Sequence, residues 1–328
     1  MFLERVYEGK NDIGRWIAML IIVLIFSQLV GALPLSIMMF LNLTDNPDLE
    51  PDPQNYFDFA GYDISPLTGL VLMMIPFVLG LLSLLLLIKP IHERPMLSVI
   101  TGTSSFRWKK FFWGAGVWFI LLTIYSIFAT TTGIQKVELQ FNPLTLISLV
   151  AVSMIFLPFQ TGFEEVLFRG YLMQGFAAFV KYKWIALLIS AFIFGALHFW
   201  NPEVRQYGAM IAMPQYIWFG IFFGICTLMD EGLELAWGVH AINNIFLSIF
   251  FTQDSSALQT PALYRITAFN PLFDLIALIT LSAVFILFAR KKFKWPEWKY
   301  LLAKVDKPAV TEEDLSLEYI ENEYDEYE

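Results

Sequence analysis

Residues 163–172 read Phe-Glu-Glu-Val-Leu-Phe-Arg-Gly-Tyr-Leu and place two adjacent carboxylates and an arginine inside a strongly apolar chain. Of the 328 residues, 57% are hydrophobic and 16% are charged, and the mean hydropathy is +0.60. A water-soluble domain cannot bury so much apolar surface, so the composition predicts a polytopic integral membrane protein. An ionisable side chain at the bilayer centre costs about 2.5–3.5 kcal/mol, so Glu164, Glu165 and Arg169 are the first candidates for function.

Apolar segments along the chain predict an all-α fold with about eight transmembrane helices around an intramembrane cavity. A span needs about 20 apolar residues to cross about 30 Å of hydrocarbon. The first segment is too long for the core of a signal peptide and is expected to be retained. No internal repeat is visible, which disfavours a transporter built from inverted repeats. The candidate spans are 16–41, 66–88, 111–132, 144–163, 184–200, 215–229, 235–252 and 270–289.

Lysine and arginine gather after the second, fourth and eighth spans, whereas loop 42–65 carries six acidic residues and no basic one. Because short cytoplasmic loops hold the excess of positive charge, both termini are predicted to be cytoplasmic, in a cell membrane, with that acidic loop outside. Basic clusters beside apolar segments give no indication of nucleic-acid binding. The predicted regions are N-terminal spans at 1–143, a core at 144–252, a last span with a basic flank at 253–295 and a tail at 296–328.

The composition of the C-terminal end predicts disorder, and the cysteine count excludes two kinds of site. Residues 311–328 hold nine acidic and no basic residues, a composition typical of a disordered terminus. The single cysteine, Cys226, excludes an internal disulfide and a multi-cysteine metal cage.

A further acidic trio, Asp230, Glu231 and Glu234, is interpreted as a helix-connecting loop, with an acidic mouth to the site as the alternative.

Helical spacing gives the two adjacent glutamates different surroundings. Glu165 and Arg169 are four residues apart and can pair across one turn, whereas Glu164 points about 100° away from Glu165. Glu164 is therefore available as a general base. The alternative interpretation is a buried structural ion pair with a spare carboxylate.

Two of the three histidines lie in apolar segments, His198 in Phe-Gly-Ala-Leu-His-Phe (194–199) and His240 in His-Ala-Ile-Asn-Asn (240–244). His240 and Asn244 share one helix face. A carboxylate base, two imidazoles and an amide donor suit the activation of water and the hydrolysis of a peptide bond. Glu164 and the two histidines are also a possible zinc set. No His-Glu-x-x-His helix is present, so metal dependence stays open.

Three motifs in chain order carry a resemblance to a known family: Glu-Glu-x-x-x-Arg at 164–169, Phe-x-x-x-His at 194–198 and His-x-x-x-Asn at 240–244. Together they resemble the CPBP family of intramembrane proteases, which includes CAAX prenyl endopeptidases of the Rce1 type and bacterial Abi, or bacteriocin-immunity, proteins. The resemblance covers residues 144–252. Family members are commonly called metalloproteases, although a glutamate mechanism without metal has also been argued.

The resemblance implies a role for each motif residue. Glu164 and His198 would activate the attacking water. His240 and Asn244 would stabilise the tetrahedral oxyanion. Glu165 and Arg169 would hold the site together.

The predicted function is that of an intramembrane endopeptidase acting on a membrane-associated or C-terminal peptide. Two alternatives stay open: a non-catalytic scaffold or bacteriocin-immunity protein with the same fold, and a proton-coupled transporter that uses Glu164 and the histidines as a relay. The span map places His198 and His240 near opposite membrane faces. We expect a segment at 164–183 that is partly re-entrant or interfacial, and a fifth span that begins late and extends past residue 200, to bring them together.

Overall fold

The computed structural model describes residues 1–52, 58–253, 255–268 and 270–307. Two π-helical segments, Ile25–Val30 and Val166–Leu172, extend α1 and α5, and short 3₁₀ helices lie at Leu3–Glu8, Ala60–Tyr62, Met96–Val99 and Trp298–Leu302. Within the described ranges the α-helices are α1 (Ile13–Leu24), α2 (Leu33–Asp45), α3 (Pro66–His92), α4 (Trp108–Thr131), α5 (Pro143–Glu165), α6 (Met173–Val180), α7 (Lys183–Leu197), α8 (Pro202–Tyr207), α9 (Ala209–Asp230), α10 (Glu234–Phe250) and α11 (Pro271–Phe293).

A small sheet closes one end of the helices. Its strands are β1 (Lys136–Leu139), β2 (Phe251–Thr252) and β3 (Tyr264–Ala268), in the order β1-β3-β2. β1 runs antiparallel to β3, and β2 runs parallel to it. Because β2 follows α10 directly, the sheet ties the end of that helix to the segment before α11.

The apolar helices are those of a membrane protein, but the predicted count of eight spans is not confirmed. The predicted fifth and seventh spans correspond to α7 and α10, which have only 15 and 17 residues. The orientation of the termini stays a prediction. Six helical segments of the described chain are long and apolar enough to cross a bilayer: Ile13–Asp45, Pro66–His92, Trp108–Thr131, Pro143–Val180, Ala209–Asp230 and Pro271–Phe293.

Three of the long helices begin with the same local signal. Ser65, Asn142 and Asn270 each precede a proline, and each accepts a hydrogen bond from the first-turn backbone through its side chain. A capping side chain followed by proline at the first helical position satisfies the free N–H groups there and fixes the backbone angle. These three helix starts are therefore set by local sequence.

The helix that carries the glutamate pair runs without a break from Pro143 to Val180, a length of 38 residues. The expectation of a re-entrant segment at 164–183 is therefore wrong, whereas the interfacial alternative stays a prediction. The fifth span also does not begin late or pass residue 200, because α7 covers Lys183–Leu197. The π-helical segment Val166–Leu172 changes the rotation of the helix directly after the glutamates, as such segments often do at functional sites. A Cβ at Gly170 would lie 2.1 Å from the Val99 carbonyl oxygen, so only glycine allows this close approach.

Packing around α10 positions the site. α10 packs against α4, α5 and α9, and α7 packs against α9. The Trp237 indole donates to the Pro158 carbonyl at 2.9 Å. A Cβ at Gly162 would meet that indole at 2.3 Å, so glycine lets α5 and α10 approach closely just before the glutamate pair.

The acidic trio connects helices and anchors both ends of the described chain. Arg107 contacts Glu234 (Nε to Oε1, 2.9 Å) and Asp230 (Nη1 to Oδ2, 3.3 Å). Glu231 directly follows α9 as its C-cap residue and accepts hydrogen bonds from the Phe2 backbone and the Tyr300 hydroxyl. Because Asp230 and Glu234 are buried and ion-paired, these residues do not form an acidic mouth.

Part of the predicted tail is ordered against the helices. The Val305 side chain is buried, and its backbone N–H donates to the Lys181 carbonyl at 2.9 Å. Residues 308–328, which hold the acidic run, lie outside the described residues. The disordered tail therefore stays a prediction.

Candidate active site

The glutamate pair forms the last two residues of α5, and both side chains are buried. The Arg169 Nη1 atom lies 3.0 Å from Glu165 Oε1, which is the geometry of the predicted ion pair. Arg169 is itself buried. A charge in such a position is stable only when it is paired, so Glu165 is committed to Arg169.

His240 joins α10 to both glutamates. Its Nδ1 atom lies 2.7 Å from Glu165 Oε1, and its Nε2 atom lies 3.5 Å from Glu164 Oε2. A carboxylate only accepts hydrogen bonds, so Nδ1 carries the proton in the shorter contact and Nε2 faces Glu164. The ring stacks on Phe223 with a centroid distance of 4.7 Å and an interplanar angle of 25°. The sequence did not predict the contact between His240 and Glu165.

Gln160 is a site residue that the sequence analysis missed. Its Nε2 donates to Glu164 Oε1 at 2.6 Å, and its Oε1 accepts from Asn244 Nδ2 at 2.8 Å. Gln160 precedes Glu164 by four residues, so both lie on one face of α5. That spacing was the available signal. The glutamine links the expected base to the expected oxyanion donor.

Asn244 is oriented from a second direction. Its Oδ1 accepts from Asn243 Nδ2 at 3.2 Å, and Asn243 Oδ1 accepts from the Trp118 indole at 3.1 Å. Both oxygen and nitrogen of the Asn244 amide are thus engaged. One N–H of its NH₂ group remains beyond the bond to Gln160.

His198 lies immediately after α7 and is held by aromatic rings. Its Nδ1 lies 2.7 Å from the Phe194 carbonyl oxygen, so Nδ1 donates and Nε2 is left as an acceptor. The ring stacks on Tyr216 with a centroid distance of 4.4 Å and an interplanar angle of 22°. No hydrogen bond joins His198 to Glu164 in the described part of the chain.

The Arg169 guanidinium lies between the aromatic neighbours of the two histidines. Its central carbon is 4.3 Å from the Phe194 ring centroid and 5.3 Å from that of Phe223. Phe194 in turn lies 4.7 Å from His198 and 6.3 Å from His240. The cation–π contacts of the buried arginine favour one orientation of the Phe194 and Phe223 rings. The structure thus brings His198 and His240 to one region, despite the conflict in the predicted span map.

Comparison with known proteins shows the family to which this chain belongs. Residues 142–246 match a family model described as type II CAAX prenyl endopeptidase Rce1-like. The uncharacterized protein YyaK of Bacillus subtilis (strain 168) is 30% identical over 284 residues, or 86% of this chain and 92% of that protein. The chain belongs to the CAAX protease (CPBP) family. No solved structure gives a significant match.

Membership of the CAAX protease family supports a membrane protease at the level of the family, and the residues matched include all three motifs. The match is to the Rce1-like type, and it gives no support to the bacteriocin-immunity (Abi) interpretation or to the description as a metalloprotease.

The zinc set considered from sequence does not fit the geometry. Within residues 1–52, 58–253, 255–268 and 270–307, no group of three or more His, Cys, Asp or Glu side chains is arranged to hold a metal ion. The side chains of the site are therefore the groups considered for each chemical step.

Proposed function

We propose that the protein is an intramembrane CAAX-type endopeptidase that hydrolyses a peptide bond of a membrane-associated substrate near its C-terminus. The carrying observation is the position of Glu164, whose two oxygens lie 2.6 Å from Gln160 Nε2 and 3.5 Å from His240 Nε2. A buried carboxylate held in this way has the environment of a general base. We further propose that the protein lies in the cell membrane with both termini in the cytoplasm.

In this mechanism Glu164 and His198 activate a water molecule. Glu164 takes one proton from the water as the water oxygen bonds to the carbonyl carbon of the peptide. The unprotonated Nε2 of His198 accepts the second water O–H and aims the oxygen at the carbonyl. Glu164 then passes its proton to the leaving amine nitrogen as the C–N bond breaks. Cleavage of a peptide bond needs this proton transfer, because the amine is a poor leaving group until its nitrogen is protonated.

His240 and Asn244 stabilise the negative charge that develops on the carbonyl oxygen. The remaining N–H of Asn244 donates to the oxyanion. Donation by His240 Nε2 requires the doubly protonated ring, and the Glu165 carboxylate beside Nδ1 offsets that positive charge. Arg169 holds Glu165 in place through the 3.0 Å contact.

The Glu164→Gln variant tests this proposal. The amide keeps the shape of the side chain and can still accept from Gln160, but it cannot take a proton. We expect the rate of peptide hydrolysis to fall about 10²–10⁴-fold, the usual share of a general base. The measurement uses the purified full chain in liposomes with three peptides: a prenylated peptide ending in Cys-aliphatic-aliphatic-X, the same peptide without the lipid, and an unrelated transmembrane peptide.

The matched control is Glu138→Gln, because Glu138 is an exposed glutamate on β1. Its rate should equal that of the native protein. Hydrolysis by Glu164→Gln at the native rate would refute the assigned base. A native protein that cleaves none of the peptides would favour a non-catalytic scaffold.

Gln160→Leu tests the link between the base and the oxyanion donor. Leucine removes the donor to Glu164 and the acceptor for Asn244. We expect kcat to fall roughly 10- to 100-fold, the effect of losing a hydrogen bond to a charged group. The matched control is Thr161→Val, because Thr161 is also buried and its hydroxyl donates within α5, to the carbonyls of Leu157 and Pro158. Equal kcat values for the two variants would contradict a role for Gln160.

A further inference from the structure

Arg94 is a buried cation that has no acidic partner within ion-pair distance in the described chain. Its side chain is 1% exposed. Nη1 donates to Gln174 Oε1 at 2.8 Å, whereas Nε and Nη2 have no hydrogen-bond partner. Burial lowers the pKa of Arg94 to about 10, so the guanidinium is still charged at neutral pH. Such a charge is costly unless it is compensated, which makes the surroundings of Arg94 a candidate ligand site.

Two neighbours of Arg94 also carry buried donors without partners. The Trp16 Nε1 and Ser98 Oγ atoms are buried and make no hydrogen bond. The Trp16 ring centroid lies 5.7 Å from the Arg94 guanidinium carbon. Gln174 joins Ser98 to Arg94, because its Nε2 donates to the Ser98 carbonyl at 2.7 Å. The free N–H groups of the Arg94 guanidinium are donors that suit an anion.

Arg94 lies at a cleft at the end of α3. Lys89, Glu93, Arg94 and Pro95 line it, with a volume of about 400 Å³. Lys89 is exposed and makes no ion pair with any described residue. Glu93 is occupied by Lys10 at 2.9 Å and Arg15 at 3.4 Å, so it does not neutralise Arg94. The end of a membrane-spanning helix lies at the level of lipid headgroups.

We propose that the cleft at Lys89 and Arg94 binds a phosphate group, namely that of an anionic phospholipid at the membrane surface. The planar guanidinium matches two phosphate oxygens, and Lys89 adds a second positive charge at the rim. Nε and Nη2 of Arg94 are buried, so a phosphate reaches them only when the side chains that cover them move. This inference does not depend on the proposed proteolytic function.

Lipid titration followed by native mass spectrometry of the delipidated full chain tests the site. The probes are dioleoylphosphatidylglycerol, dioleoylglycerol, which has the same acyl chains without phosphate, and inorganic phosphate. We expect one phosphatidylglycerol to bind per chain and dioleoylglycerol not to bind in its place. Arg94→Gln and Lys89→Gln should raise Kd about tenfold or more, the effect of losing a charge-assisted contact.

Lys109→Gln is the matched control, because Lys109 is another exposed lysine at a helix end. Its Kd should equal the native value. If circular dichroism shows that Arg94→Gln does not fold, the comparison of Lys89→Gln with Lys109→Gln decides. Competition by inorganic phosphate supports a phosphate site, and binding of phosphate without lipid assigns the free ion as its ligand. Native Kd values in both cleft variants would overturn the proposal. It would also be overturned if neither phosphatidylglycerol nor inorganic phosphate bound.

Discussion

The His240→Ala variant is expected to lose at least about 10²–10³-fold in kcat for peptide hydrolysis, the loss seen when one oxyanion donor is removed. The loss should be large because His240 contacts both glutamates, at 2.7 Å and 3.5 Å. Its removal also frees Glu165 from one of its two partners.

The measurement is kcat and KM for the cleaved peptide, with the unfolding temperature recorded for each variant. His240→Gln keeps a donor near the Nε2 position and should retain more activity than His240→Ala. A His240→Ala enzyme that folds and works within about threefold of the native rate would contradict the assignment, because a lost oxyanion donor has a much larger effect.

The Glu165→Gln variant is expected to lower the free energy of unfolding by about 3–5 kcal/mol, because it leaves a buried arginine without its counterion. Arg169 and Glu165 are 1% and 0% exposed, so solvent does not compensate the lost charge. Chemical denaturation in detergent measures the change. The double variant Glu165→Gln/Arg169→Met should recover part of the stability, because no unpaired charge then remains.

An exposed ion pair provides the control for this prediction. Glu8 contacts Arg5 at 2.8 Å with 39% of its side chain exposed. Glu8→Gln should change the free energy of unfolding by less than about 1 kcal/mol. If Glu165→Gln were no more destabilising than Glu8→Gln, Arg169 would not depend on Glu165.

Composition predicted the membrane class, and the hydropathy pattern predicted the helical fold. The hydropathy pattern misplaced some helix ends. The apolar run at 184–200 continues through Phe199 and Trp200, whereas α7 ends at Leu197 and the chain turns at His198. Hydropathy measures how apolar a segment is and not where its backbone hydrogen bonds stop. Helix starts with a capping side chain and a proline, such as Asn142-Pro143, are local signals and are readable from sequence.

Within the site, sequence reasoning reached the contact of Glu165 with Arg169, but it missed the contact of Gln160 with Glu164 on the same helix and the contacts between helices. The spacing of Glu165 and Arg169 indicated their contact, because residues four apart meet on a helix. The contacts from His240 to Glu165 and from Gln160 to Asn244 depend on how α5 and α10 are rotated against each other. That rotation follows from close approaches such as Gly162 against Trp237, which no local pattern specifies.

The most direct test of the central claim compares hydrolysis of one cleaved peptide by native protein, Glu164→Gln, His198→Ala and the double variant. If these residues activate one water together, each single variant loses most of the activity and the double variant is little slower than the worse single variant, because residues of one catalytic unit are not additive. Native-like hydrolysis by Glu164→Gln, or losses that multiply in the double variant, would contradict a shared site.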